Sequence, residues 1–210
     1  MLEITPLFPI PLAVTNIGQL DPLKLAWMKN LKFPPGQAAR DYLDDDLVET
    51  SKGMYFLNKS EMEGIKSKIQ LAIDEFVKTL DVSLDLKITT SWLNKTEPGD
   101  WIRSHTHECA MISGVYYPEV TAQSSPIIFN KSSSYTNLFH QTVKPIANNI
   151  NMLNLEAYVV QPKTGDVIMF PSHLEHEVPI NEIGDRYSVG FNSFATNSVG
   201  VGQSKVTINE

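Results

Sequence analysis

Thiols are almost absent from this chain. Cys109 is its one cysteine, which excludes an internal disulfide and any multi-thiolate zinc or iron–sulfur site. Long apolar runs are missing too. No stretch approaches the ~18 residues that read as a membrane span, and the N-terminus lacks the basic-then-apolar pattern of a secretory signal. Those absences lead to the expectation of a protein of a reducing compartment, the cytoplasm, or the host cytoplasm if the chain is virus-encoded. Basic residues are in the minority, with 17 Lys and Arg against 24 Asp and Glu and a net charge of −7. A surface of that sign gives no electrostatic grip on nucleic acid or anionic lipid, so neither is expected as a partner. What remains is ordinary globular composition, 42% hydrophobic and 20% charged over 210 residues, a length that suits one domain.

Residues 7–14, an apolar stretch broken by prolines, suit an edge strand, because proline cannot donate to a ladder. Asp21 before Pro22 signals a helix start. That short helix carries Leu23, Trp27 and Leu31, and Phe33-Pro34-Pro35-Gly36 stops it. The strongest helix is expected from Ser60, which stands at capping-box spacing to Glu63. Met62, Ile65, Ile69, Ala72, Ile73, Phe76, Val77 and Leu80 then recur at three and four and give it one apolar face. After Asp85 the pattern changes to short strands over 86–93, 110–117, 127–129, 155–160, 167–170 and 187–194. The Ser- and Asn-rich stretch 130–154 has the length of a lid or binding loop. Helices followed by many short strands predict a mostly β, α+β fold: an antiparallel core with helical support on one face. Its natural closed form is a double-stranded β-helix, or jelly-roll. Residues 1–210 are expected to form one domain, with 1–85 as helical support and edge strand and 86–200 as the core.

Four of the five histidines fall in two tight clusters. The first is His105-Thr106-His107-Glu108, just before an apolar strand. In extended backbone, residues two apart share a face, so His105 and His107 can converge on one point. The second, His173-Leu174-Glu175-His176, follows the strand-like 165–170 and the turn Pro171-Ser172. A metal takes neutral imidazoles from several segments held on a rigid sheet, with positions left open for chemistry. An HxH triplet alone is a weak motif and equally describes ordinary polar residues near a strand end. The second cluster supplies the further ligand that a metal needs. Arg186 and Ser188 share a strand face by the same period of two. A buried arginine beside a metal is costly unless an anion pairs with it, and its planar fork suits a carboxylate. The competing reading is a surface arginine paired with Asp185 or Glu182.

The combination resembles the iron(II)/2-oxoglutarate-dependent oxygenases, most closely the small branch found in tailed bacteriophages and bacteria. Three segments carry the resemblance. They are Ser91-Trp92-Leu93-Asn94; His105-Thr106-His107 leading into Ser113-Gly114-Val115-Tyr116-Tyr117; and residues 170–178 leading to Arg186-Tyr187-Ser188-Val189-Gly190-Phe191-Asn192. Prolyl-hydroxylase-like enzymes show a similar Tyr-Tyr strand and His-to-Arg stretch. The resemblance implies iron(II), 2-oxoglutarate and O2 as cofactor and cosubstrates, with His105 as the first iron ligand and His176 as the distal one. It implies that Arg186 pairs with the C5 carboxylate of 2-oxoglutarate, with Ser188 donating beside it. Tyr117 either adds a hydroxyl to that carboxylate or is a core aromatic, and Asn94 and Asn192 line the pocket. One position departs from the family, which usually places Asp or Glu two residues after the first histidine. Here that position is His107. The favoured set is His105, His107 and His176, with Glu108, swung inward by a bulge, as the substitute for His107. The implied reaction is oxidative decarboxylation of 2-oxoglutarate to succinate and CO2, coupled to hydroxylation of a peptide or small molecule. His140, inside the 130–154 loop, either touches substrate or is solvated. The chain is compatible with a homodimer.

Two other readings stay open. A cupin without 2-oxoglutarate shares the barrel, and Gly99 before His105 and Gly165-x5-Pro171 with His176 echo its motifs. The glutamate expected a few residues after His107 and the glycine expected two after Pro171 are both missing, and Arg186 and Ser188 have no task there. A non-enzymatic jelly-roll that binds a partner or carbohydrate needs no metal at the histidines.

Overall fold

Alternation of apolar and polar residues after Leu86 turns one face of each strand toward a shared interior, and the chain closes around it. The computed structural model describes residues 3–5, 9–32, 54–121, 123–131, 146–200 and 202–208. Nine strands build two antiparallel sheets: β1 (Ala13–Asn16), β2 (Leu86–Thr96), β3 (Ile102–His105), β4 (Ile112–Glu119), β5 (Ile127–Asn130), β6 (Ala157–Val160), β7 (Asp166–Pro171), β8 (His176–Val178) and β9 (Arg186–Ala195). One sheet has the order β1-β7-β4-β9-β2 and the other the order β3-β8-β5-β6. Strands from β2 onward are thus dealt between two layers by short connections, with only the consecutive β5 and β6 in the same layer, the arrangement of a double-stranded β-helix. A separate antiparallel pair, β10 (Asn197–Val199) and β11 (Val206–Ile208), follows.

Strand parity divides the core in two. On β7, Val167 and Met169 face outward and join Leu93, Val189 and Phe191 beneath the long helix α2 (Glu63–Thr79). Ile168 and Phe170, one residue out of phase, face inward and pack with Tyr117, Ile127 and Phe129 between the sheets. Helix α2 buries Ile65, Ile69, Ala72, Ile73, Phe76 and Val77, the stripe that its 3.6-residue period demands. At Gly114 on β4 an added Cβ would lie 2.3 Å from the Phe191 ring and 2.8 Å from the Ile168 carbonyl oxygen. The backbone contact cannot yield by a rotamer change. Gly114→Ala is therefore expected to destabilise the fold by about 1–3 kcal/mol through overpacking, read as a lowered denaturant midpoint; an unchanged midpoint would contradict this packing.

Several local expectations are corrected. Helix α2 begins at Glu63 and not at Ser60. Residues 60–62 form a 3-10 turn, and the Ser60 hydroxyl bonds the Glu61 carboxylate at 3.0 Å, so no capping box forms. Asp21 does cap the short helix α1 (Pro22–Lys29), accepting from Leu23 N at 2.9 Å. Leu23, however, is 82% exposed, and the turn of the helix buries Met28 in its place. Trp27 stacks on Phe56 at 5.9 Å. The edge strand does lie at a sheet edge, but it starts at Ala13; Pro9 and Pro11 before it have no N–H to give a ladder. The Phe33-Pro34-Pro35-Gly36 stop and most of the 130–154 loop, His140 included, lie outside the described residues. Among the described residues no helix is long and apolar enough to cross a membrane.

Candidate metal centre

Strands β3 and β8 pair so that His105 and His176 are direct partners, which puts both side chains at one spot on one face. His107 lies two residues beyond the end of β3. Its backbone N–H donates to the Ser172 carbonyl at 2.9 Å, tying it to the turn that leads into β8. Ser172 is itself fixed. Its N–H donates to the Met111 carbonyl at 3.0 Å, and its hydroxyl lies 2.8 Å from that of Ser113, which donates to Asn192 Oδ1 at 2.7 Å. The single Ser113 proton goes to Asn192, so Ser172 is the donor of that pair.

The three histidines offer ligand nitrogens that all lie within 4.8 Å of one another, a group able to hold a metal ion. His105 Nδ1 faces the Arg103 carbonyl at 2.8 Å and His176 Nδ1 faces the Leu174 carbonyl at 2.9 Å. A carbonyl only accepts, so both Nδ1 atoms carry the proton and both Nε2 lone pairs are free for a metal. The Nε2 atoms of His107 and His176 are 3.2 Å apart. Two imidazoles on one ion at about 2.0–2.1 Å would have their nitrogens roughly 3 Å apart, so the donor set fits. Burial, reinforced by the neighbouring imidazoles, pushes His107 down to about 3. Burial also takes His176 down to about 4, against the opposing bond to Leu174. Both rings are neutral near pH 7, the form in which imidazole ligates.

Glu108 is exposed on the turn after His107 and stands apart from this group, so the bulge that would bring it inward does not form. The next residue, Cys109, has a left-handed φ of 52° that carries the turn away from the sheet. His173 is likewise exposed.

Deeper in the same cleft lies Arg186, 2% exposed. Its Nε donates to the Ser125 carbonyl at 3.1 Å, and its two terminal nitrogens donate to the Ser188 and Tyr117 hydroxyls, each at 3.3 Å. The guanidinium also lies against the Tyr117 ring, 5.2 Å from its centroid. Among the described residues no carboxylate pairs with it; Asp185 instead engages Lys95 at 3.2 Å. The surface-arginine reading is thereby overturned. Three of the five N–H groups are used, and the two hydroxyls, having accepted, keep their own protons for another acceptor. Burial raises the Tyr117 hydroxyl above its usual range, with Arg186 opposing, so it stays a donor. Opposite Arg186 on β2, the buried Thr96 hydroxyl has no hydrogen-bond partner among the described residues. A buried cation ringed by unspent donors fits a carboxylate.

Asn94 lines this cleft together with Trp92. Asn192 does not: its amide is held by Ser113 and, at 3.2 Å, by Thr90. Its part is in the polar chain that fixes Ser172 and, through it, His107. Trp92, Thr96, Ser125 and Ser172 escape a reading of the sequence for chemistry, although the period of two puts Trp92 and Thr96 on the Asn94 face of β2.

A family model of 2OG-Fe(II) oxygenases matches residues 90–192, the span from β2 to β9 that contains every residue of this cleft. No curated protein matches the chain by sequence. Among solved structures, the chain is similar to the α-ketoglutarate-dependent epimerase SnoN of nogalamycin biosynthesis (TM-score 0.56, 12% identity, 90% of this chain and 80% of that one). It is similar to HygX from Streptomyces hygroscopicus, solved with nickel, 2-oxoglutarate and hygromycin B (0.53, 13%, 88% and 82%). A third is a Trichoplax adhaerens prolyl hydroxylase in complex with a hypoxia-inducible-factor peptide (0.52, 14%, 87% and 83%). At these identities the structures speak for the fold, and the sequence match speaks for the family. Residues 90–192 match the model of a 2OG-Fe(II) oxygenase family, and the chain shares its fold with these solved structures.

Proposed function

We propose that the 210 residues act as one cytoplasmic oxygenase domain that hydroxylates a peptide or small molecule at the expense of 2-oxoglutarate, with release of succinate and CO2. His105, His107 and His176 hold iron(II) through Nε2. Arg186, Ser188 and Tyr117 receive the distal carboxylate of 2-oxoglutarate, with Asn94 beside it. The observation that carries this reading is the pairing, in one cleft, of three converging imidazoles with a buried guanidinium that has no counter-ion among the described residues. A cupin has no use for the second half of that pair.

Iron with 2-oxoglutarate supplies the oxidising chemistry, splitting O2 between succinate and the substrate. The protein supplies placement. The guanidinium sets the direction in which a diacid enters, since only one end can reach Arg186 while the other faces the histidines. Tyr117, Ile127 and Val178 wall the cleft and keep the wet surface away from it. The shared fold admits hygromycin B in one protein and a peptide in another, which supports both substrate classes here. The net charge of −7 supports neither nucleic acid nor an anionic membrane as a partner.

Iron(II)-loaded protein under air is expected to turn 2-oxoglutarate into succinate and CO2 in equal amounts. Protein that holds one equivalent of iron and leaves 2-oxoglutarate intact would contradict the proposal.

A further inference from the structure

Resting on the reading of the three histidines as a metal site, we propose that Trp92, seated on Gly190, is the positioning residue of His107. The three ligands are not held alike. His105 and His176 are oriented by Nδ1–H bonds to backbone carbonyls and sit in paired strands. His107 has neither support: it lies outside the sheet, and among the described residues its ring makes no hydrogen bond except to His176. What it has is an aromatic wall. The Trp92 indole stacks on it with ring centroids 5.4 Å apart and planes 28° apart.

Trp92 is well placed for that task because it belongs to the long strand β2, which pairs with β9 along its length. Its partner across the pair is Gly190. A Cβ at Gly190 would lie 2.5–2.8 Å from three atoms of the indole. The ring therefore occupies the space that any other residue at 190 would fill. A carboxylate two residues after the first histidine could be oriented by hydrogen bonds. An imidazole there has a flat apolar face instead, and a metal-bound ring, made more positive by the ion, gains from the electron-rich indole.

The test is nickel(II) titration of the full-length protein by calorimetry, since nickel stands in for iron without oxygen chemistry. Wild type takes up one equivalent and His105→Ala none; a His105→Ala protein that still binds one equivalent would sink the metal-site reading itself. With that established, Trp92→Ala is expected to weaken nickel about 10–100-fold, the range for loss of an outer-shell support. Trp92→Phe should recover most of the loss. Wild-type affinity in Trp92→Ala, or a Trp92→Phe protein that binds nickel as weakly as Trp92→Ala, would overturn the proposal. A second measurement does not require the Trp92 variants to fold. In a Trp27→Phe/Trp101→Phe protein, where Trp92 is the one tryptophan left, one equivalent of nickel should change the emission; an unchanged emission would overturn the contact.

Discussion

His176→Ala is expected to leave a protein that no longer holds a stoichiometric divalent metal. His176 is 4% exposed and is the partner of His105 across the β3–β8 pair, so nothing mobile can take its place. Removing an outer-shell partner of a metal ligand typically costs 10–100-fold in affinity, and removing the ligand itself costs more. The variant also loses the packing of the imidazole against Phe170, at 4.6 Å between ring centroids, so its fold is checked by circular dichroism in parallel. Full metal content in a folded His176→Ala protein would contradict the assignment and move attention to the exposed His173.

Arg186→Met is expected to weaken 2-oxoglutarate about 10–150-fold, equivalent to about 1.5–3 kcal/mol, the usual worth of hydrogen bonds to a charged group. The same change removes a buried cation that no carboxylate neutralises among the described residues. Burying such a charge is costly, and replacement by an apolar side chain of similar volume is often neutral or stabilising. The expected pattern is therefore divided: thermal stability without ligand holds or rises, while the added stability that 2-oxoglutarate gives the wild type is lost. Arg186→Lys keeps the charge but not the planar fork and should fall between the two. Calorimetry with the metal-loaded protein reads the affinity. An Arg186→Met protein that binds 2-oxoglutarate as wild type does would assign the anion to another residue. One that simply unfolds would show that Arg186 is a structural pivot.

The elements legible in the sequence are those whose side chains repeat. Helix α2 shows its face through six apolar positions at helical spacing, β7 shows as the apolar run Val167 to Phe170, and β9 shows as Tyr187, Val189 and Phe191 alternating with Ser188, Gly190 and Asn192. Strands β3 and β8 are illegible for a physical reason. They hold four and three residues, too few for a period to register, and the β3–β8 register shifts between Ile102 and His105. In the sheet, β8 lies between β3 on one side and β5 on the other. The Ser60 start failed for a related reason: a hydroxyl that can bond the neighbouring Glu61 has no need of an amide three residues on.

The site divides along the same line. The histidines and Arg186 are chemically conspicuous, and strand parity puts Ser188 with Arg186. What parity cannot say is how far along the shared face a side chain remains in the cleft. Asn192 has the parity of Arg186 and Ser188, yet it sits where Ser113 and Thr90 claim its amide. Glu108 was excluded by the turn at Cys109, a backbone feature that no side-chain pattern announces. The Ser172 carbonyl that anchors His107 is equally silent, being a main-chain atom contributed from 65 residues further along the chain.

The most direct test of the account is a crystal of the protein grown without oxygen in iron(II) and 2-oxoglutarate, with data collected across the iron absorption edge. The account requires an anomalous peak bonded to Nε2 of His105, His107 and His176, and a five-carbon diacid running from it to the Arg186 guanidinium. A peak at any other set of side chains, or a diacid that leaves Arg186 untouched, would contradict it.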